Sequence, residues 1–138
     1  MPTITSPRPP LNLFEAVHMN LDRDYRPLYT TPDYLVPAVG PNPPRTIKAV
    51  ALLTSLIITN DTADTISAYI QIRTADNTPY NLLTGLLVPP NDFALIELSK
   101  QNLVSGESIW ARVSPDQNAV AHLSFVLNQR EEYEDQTP

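Results

Sequence analysis

The sequence predicts an all-β protein, an immunoglobulin-like or related β-sandwich preceded by an extended proline-rich arm. Three observations lead there. Six apolar runs follow one another from Thr46 to Asn128 at roughly ten-residue spacing, a rhythm typical of sandwiches and barrels. Several runs alternate apolar and polar residues with the period of two that a strand imposes. The prolines inside this stretch, Pro79, Pro89, Pro90 and Pro115, stand at run ends, where no ladder hydrogen bond is lost.

The first run, Thr46–Asn60, is β-branched and apolar and stops at Asn60-Asp61-Thr62. A buried helix over Leu52–Ile58 is the competing reading, and the β-branched content favours a strand. Next, Ile66, Ala68, Ile70 and Ile72 alternate with Ser67, Tyr69, Gln71 and Arg73, which places the isoleucines on one face. Asp76-Asn77-Thr78-Pro79 is a turn cluster. Tyr80–Val88 is apolar, weakened by Gly85, and Pro89-Pro90-Asn91-Asp92 breaks it. Phe93–Leu98 is short, with only Glu97 charged. Ser105-Gly106 reverses the chain, Gly106 supplying the positive φ that a tight turn uses. In Ser108–Val113, Ile109, Ala111 and Val113 oppose Ser108, Trp110 and Arg112. After Ser114-Pro115-Asp116, the run Ala119–Leu127 closes the series, with Ala121, Leu123, Phe125 and Leu127 on one face.

The division expected is therefore an arm at 1–45, a sandwich at 46–128 and an acidic tail at 129–138 holding Glu131, Glu132, Glu134 and Asp135. At 138 residues the chain has one domain's length, and it holds no cysteine, which removes disulfides and thiolate metal sites. The formal net charge is −6, and lysine occurs only at 48 and 100. A nucleic-acid partner is disfavoured, because phosphate neutralisation needs clustered cations. No apolar run approaches a membrane span, and the start MPTITSPRPP lacks the apolar core of a signal peptide. The expectation is a protein made in the cytoplasm, with no membrane partner.

Ten of the fifteen prolines fall in the first 44 residues. Pro2, Pro7, Pro9 and Pro10 favour an extended start. Leu13–Leu21 fits a strand, with Leu13, Glu15, Val17, Met19 and Leu21 on one face; Phe14, Val17 and Leu21 also fit a short helix. Asp22–Arg26 carries dense mixed charge, either a solvated turn or an ion-pair patch between subunits. Pro27, Pro32 and Pro37 forbid a regular helix, yet Leu28, Tyr29, Tyr34, Leu35 and Val36 sit among them. Disordered segments are poor in such side chains. These five are candidate anchors against a surface, the chain's own or a neighbour's. Trp110 joins them as an interface candidate, because it stands out of phase with Ile109 and Ala111.

No pattern of catalytic, cofactor-binding or metal-ligating residues emerges. The two histidines are His18 and His122; His122 faces away from Leu123 and Phe125 without a local metal-ligating partner and reads as structural. No serine has a GxSxG setting. Asp61, Asp64, Asp76, Asp92 and Asp116 are scattered on turns; Asp61-Thr62-Ala63-Asp64 could hold calcium weakly through oxygens, but nothing resembles an EF-hand loop and a turn role is favoured. Three glycines leave no phosphate-cradling loop. An enzyme is not expected, and no cofactor is implied.

The turn signatures resemble those of small structural proteins of tailed bacteriophages, of the marine and cyanobacterial type. They are Leu56-Ile57-Ile58-Thr59-Asn60, Thr65–Ile72, Val88-Pro89-Pro90-Asn91-Asp92-Phe93, Leu103-Val104-Ser105-Gly106-Glu107-Ser108-Ile109 and Ala121-His122-Leu123-Ser124-Phe125-Val126. The proline-rich start has no counterpart in that family. The resemblance implies a virion protein acting by multi-copy assembly, as a connector or neck, tail or baseplate, or capsid-cement component. Its partners are then other capsid, neck or tail subunits and further copies of itself; the proline-rich arm with its spaced apolar anchors is expected, from composition, to clamp neighbours. A host-surface or carbohydrate-binding module is the alternative, and it calls for an aromatic cluster with polar partners.

Overall fold

Strand-forming stretches alternate with turns along the whole described chain. The computed structural model describes residues 11–32, 34–36, 40–41, 45–115 and 119–133, and side chains within these except at 11, 34–36, 45–47 and 130–133. The strands are β1 (Leu11–Leu21), β2 (Arg26–Thr30), β3 (Tyr34–Val36), β4 (Arg45–Asn60), β5 (Ile66–Arg73), β6 (Pro79–Val88), β7 (Asp92–Glu97), β8 (Asn102–Leu103), β9 (Ser108–Ser114) and β10 (Ala119–Tyr133). The described residues contain no helix, so the strand reading of Leu52–Ile58 holds.

Two antiparallel sheets result. In the first, β4 is the spine: β10 pairs along one edge, and β3, β8 and β7 follow one another along the other. β1 completes this sheet outside β10. The second sheet runs β2-β9-β5-β6. The sheets pack as a sandwich, and the alternating apolar positions of both meet between them. Leu53, Leu56, Ile58, Leu123 and Phe125 come from one side, and Ile66, Ile70, Ile109 and Val113 from the other.

β4 keeps its apolar face inward only by changing phase. Ala49, Ala51 and Leu53 are buried, then Leu56, Ile58 and Asn60. Thr54 is the extra residue of a bulge opposite the Ser124/Phe125 step, and its hydroxyl donates to the Ser124 carbonyl at 2.8 Å. β6, at the edge of the second sheet, bulges opposite β5 at two steps, and Gly85 there has φ +79°. Bulged edges resist pairing with stray strands.

The boundary expected at residue 45 is not a structural one. Leu11–Leu21 is a strand rather than a helix, because β10 offers it a free edge over eleven register positions. Arg26–Thr30 pairs with β9, its Pro27 tolerated at a sheet edge. The tail boundary at 129 shifts as well: β10 runs on to Tyr133 alongside the start of β4. Residues 1–10 and 134–138 lie outside the described residues, and with them the ends of the expected arm and acidic tail.

Candidate functional site

Strand alternation gives the first sheet an outer side, and the registers of β1, β10, β4 and β7 align it into rows. Phe14 faces Val126, which faces Leu52. His18 faces His122, then Ile57, then Leu95. Asn20 faces Val120, then Thr59, then Phe93. Between the first two rows lies the more polar row Ala16, Ser124, Ser55 and Glu97. Phe14 is 87% exposed, Phe93 59%, Leu95 55% and Leu52 38%. An open depression of about 310 Å³ lies beside the β4 bulge, lined by Phe14, Ala16, Thr54, Ser124 and Val126 among others. The outer side of this sheet is thus an apolar surface interrupted by one pair of imidazoles.

Those imidazoles are the chain's two histidines. Their Nδ1 atoms lie 2.5 Å apart, with ring centroids at 4.7 Å and planes at 74°. At that separation one ring donates and the other accepts. The sequence reading found no local partner for His122, because the partner is 104 residues away and only the β1–β10 register brings it opposite.

The outer side of the second sheet carries different chemistry. The Arg73 guanidinium lies 3.7 Å from the centroid of Trp110, and that of Arg112 lies 3.8 Å from Tyr69; both also flank Tyr25. Trp110 Nε1 donates to Ser108 Oγ at 2.7 Å, Arg73 Nε donates to Gln71 Oε1 at 2.8 Å, and Gln71 Nε2 donates to Asn81 Oδ1 at 3.2 Å. Cross-strand register of β9, β5 and β6 builds this array from residues that are far apart in sequence. Guanidinium planes over ring faces gain cation–π attraction.

Of the six interface candidates, Leu28 is 4% exposed and is a core residue; it fills space between the sheets rather than anchoring a neighbour. Tyr29 packs against Phe125 across the sandwich. Trp110 is half-buried beneath Arg73. Tyr34, Leu35 and Val36 pair by backbone with Ile47, Thr46 and Arg45, and their side chains lie outside the described ones. On the outer side of the six-stranded sheet, the exposed residues that the sequence reading missed are Phe14, Leu52, Phe93 and Leu95; Tyr80, Leu87 and Val104 are exposed elsewhere.

The charged stretch Asp22–Arg26 closes on itself. Arg26 pairs with Asp22 at 2.7 Å on the surface, so this ion pair forms within the chain. The bond from Arg26, helped by the Asp24 amide, holds the Asp22 carboxyl below the usual carboxylate range. The Thr74 and Thr78 hydroxyls do the same for Asp76. Among the described residues no group of three or more His, Asp or Glu side chains could hold a metal ion, and no helix is long and apolar enough to cross a membrane.

No protein-family model matches the chain, and no curated protein matches it. Similar solved structures include infectious bursal disease virus, Gt strain, at 10% identity and TM-score 0.39, covering 100% of this chain and 39% of that one. The VP2 subviral particle of the same virus matches at 10% identity and TM-score 0.37, again over 100% of this chain and 39% of that one. Eiger TNF from S. frugiperda matches at 18% identity and TM-score 0.33, over 91% of this chain and 98% of that one. The chain spans about two fifths of the length of the viral chains. At such scores the likeness is coarse, and it spans viral-particle and TNF structures alike, so no function is read from it.

Proposed function

We propose that this chain is a structural protein of a virion, acting by assembly of many copies with one another and with other particle subunits. The observation that carries the reading is the outer side of the six-stranded sheet, where Phe14, Leu52, Phe93 and Leu95 stand exposed on β1, β4 and β7. A sheet whose outer side meets only water alternates apolar-in and polar-out. Here Val120, Val126 and Ile57 also occupy outer positions. Covering such a face contributes about 25 cal/mol per Å² of apolar surface, a gain repeated at every contact of a many-copy particle.

The resemblance of the turn signatures to tailed-phage structural proteins agrees with this reading. Within a particle, the suitable duties are a connector or neck component, a tail or baseplate part, or a capsid cement. The clamp is expected of an arm at 1–45, but Leu11–Leu21 and Arg26–Thr30 of that stretch pair within this chain's own sheets, and residues 1–10 lie outside the described ones. The chain works without catalysis in this role. The test is mass-spectrometric copy counting on particles purified from cells that express the chain. Recovery in many copies per particle supports the role, and absence from intact particles contradicts it.

A host-surface or carbohydrate-binding module is favoured by one observation, the convergence of Tyr25, Tyr69 and Trp110. Yet Arg73 and Arg112 already cover the Trp110 and Tyr69 rings, where a sugar would stack. This reading therefore ranks second. Glycan binding lost on Trp110→Ala would reverse the order.

A further inference from the structure

We infer that His18 and His122 form a two-imidazole site for a divalent transition metal of the Zn²⁺, Ni²⁺ or Cu²⁺ type, clamping the edge strand β1 to β10. The site lies on the sheet side that the assembly reading covers, so its test reads metal binding and not association of copies.

The chain holds two histidines in 138 residues, and the fold makes them direct register partners on adjacent strands. Both side chains project from the outer side of the sheet, where solvent reaches them. The same atom of each ring, Nδ1, points at the other, 2.5 Å away. Imidazole nitrogens are the preferred neutral donors for this group of metals. An ion about 2.0–2.1 Å from each nitrogen holds the two about 2.9 Å apart in octahedral and about 3.4 Å apart in tetrahedral geometry, so seating one requires the rings to part by less than about 1 Å.

The proton balance is simple. In the metal-free pair one ring carries its proton on Nδ1 and donates it to the other. Metal binding needs both Nδ1 lone pairs, so that proton moves to Nε2 of its own ring. Both rings stay neutral, and no proton leaves the site. Water completes the coordination, since no group of three or more donors occurs among the described residues. The neighbours in this row and the two that flank it are Ile57, Ala16, Ser124, Asn20, Val120 and Thr59, none of them a carboxylate. Harder cations such as Mg²⁺ and Ca²⁺, which demand oxygen ligands, are therefore excluded by the donor set.

The experiment is titration of the full chain with Ni²⁺, and separately with Zn²⁺, by calorimetry and by thermal melting. Wild type, His18→Ala, His122→Ala and the double variant are compared after far-UV dichroism has shown the β-signature intact. One equivalent of metal is expected to bind wild type and raise its melting temperature. Each single substitution is expected to weaken that binding roughly tenfold or more, because the second imidazole is tethered at high effective concentration. The double variant, which keeps no imidazole, is expected to lose the binding that remains in the singles. Equal affinity in wild type and both single variants, or melting unmoved by metal, overturns the site and leaves an ordinary imidazole hydrogen bond. If the alanine variants do not fold, His18→Gln and His122→Gln are titrated instead, under the same two criteria.

Discussion

Tyr29 and Phe125 meet ring against ring across the sandwich, with centroids 4.3 Å apart and planes tilted by 40°. Tyr29 belongs to β2 of one sheet and Phe125 to β10 of the other, so this contact ties an N-terminal strand to the final one. Replacing Tyr29 with alanine removes an aromatic face from the core side. The expected loss is roughly 2–4 kcal/mol in urea denaturation. Deleting residues 1–45 removes β1, β2 and β3 and is expected to abolish cooperative unfolding. Deleting residues 1–10 is expected to leave it intact.

Asn60 is fully buried at the end of β4, and its side chain joins two turns. Nδ2 donates to the carbonyls of Asp64 at 2.8 Å, Val88 at 3.1 Å and Pro89 at 3.1 Å, while Oδ1 accepts from the Thr62 amide and hydroxyl. Asn60→Ala strands these buried groups and should cost roughly 2–4 kcal/mol. Asn60→Asp should cost more at neutral pH, because a carboxylate then faces three carbonyl oxygens. Chemical denaturation of the two variants side by side checks the order, and equal losses would count against it.

Gly106 has φ +82°, and a Cβ placed there would meet the Ala75 Cβ at 2.8 Å. The same turn is docked by Thr31, whose carbonyl accepts from the Gly106 amide and whose amide donates to the Glu107 carbonyl, both at 2.9 Å. Gly106→Ala is expected to destabilise by about 1–3 kcal/mol from backbone strain and crowding together. Adding Ala75→Gly should recover part of that loss, since it relieves the crowding and not the strain. Thermal melts of the single and double variants separate the two causes.

Asp22 titrates below its ordinary carboxylate value in the folded chain, chiefly through its bond from Arg26. A depressed folded pKa contributes stability above the unfolded value of 3.8 and loses it as pH falls through the folded one. Asp22→Asn should therefore leave the variant slightly less stable than wild type at neutral pH, and the difference should fade in acid and vanish below the folded value. The effect is small because the pair is exposed, and added salt should shrink it further. Stability measured against pH for both proteins checks the sign.

Much of the sandwich was legible because alternation survives wherever one face is wet. Ile66, Ala68 and Ile70 fell on the buried side as their spacing required, as did Ala121, Leu123 and Phe125. The bulge at Thr54 was not legible. Positions 49–53 are apolar in both phases, so nothing in the residue types marks where the phase changes. The apolar side chains among the prolines mark Leu28 as an anchor, but not whether the surface it meets is the chain's own or a neighbour's. Proline at a sheet edge costs no ladder bond, and the segment folded into its own core. The outer apolar face and the histidine pair depend on register across distant strands, which no local pattern encodes.

Sedimentation velocity of the full chain beside Phe14→Glu and Leu95→Glu tests most directly whether the outer side of the six-stranded sheet is the surface that joins copies. Phe14 and Leu95 are both more than half exposed, so each substitution should leave the monomer folded. Wild type is expected to form oligomers at micromolar concentration and both variants to sediment as monomers. A wild type that remains monomeric, or variants that assemble as it does, contradicts assembly through this face.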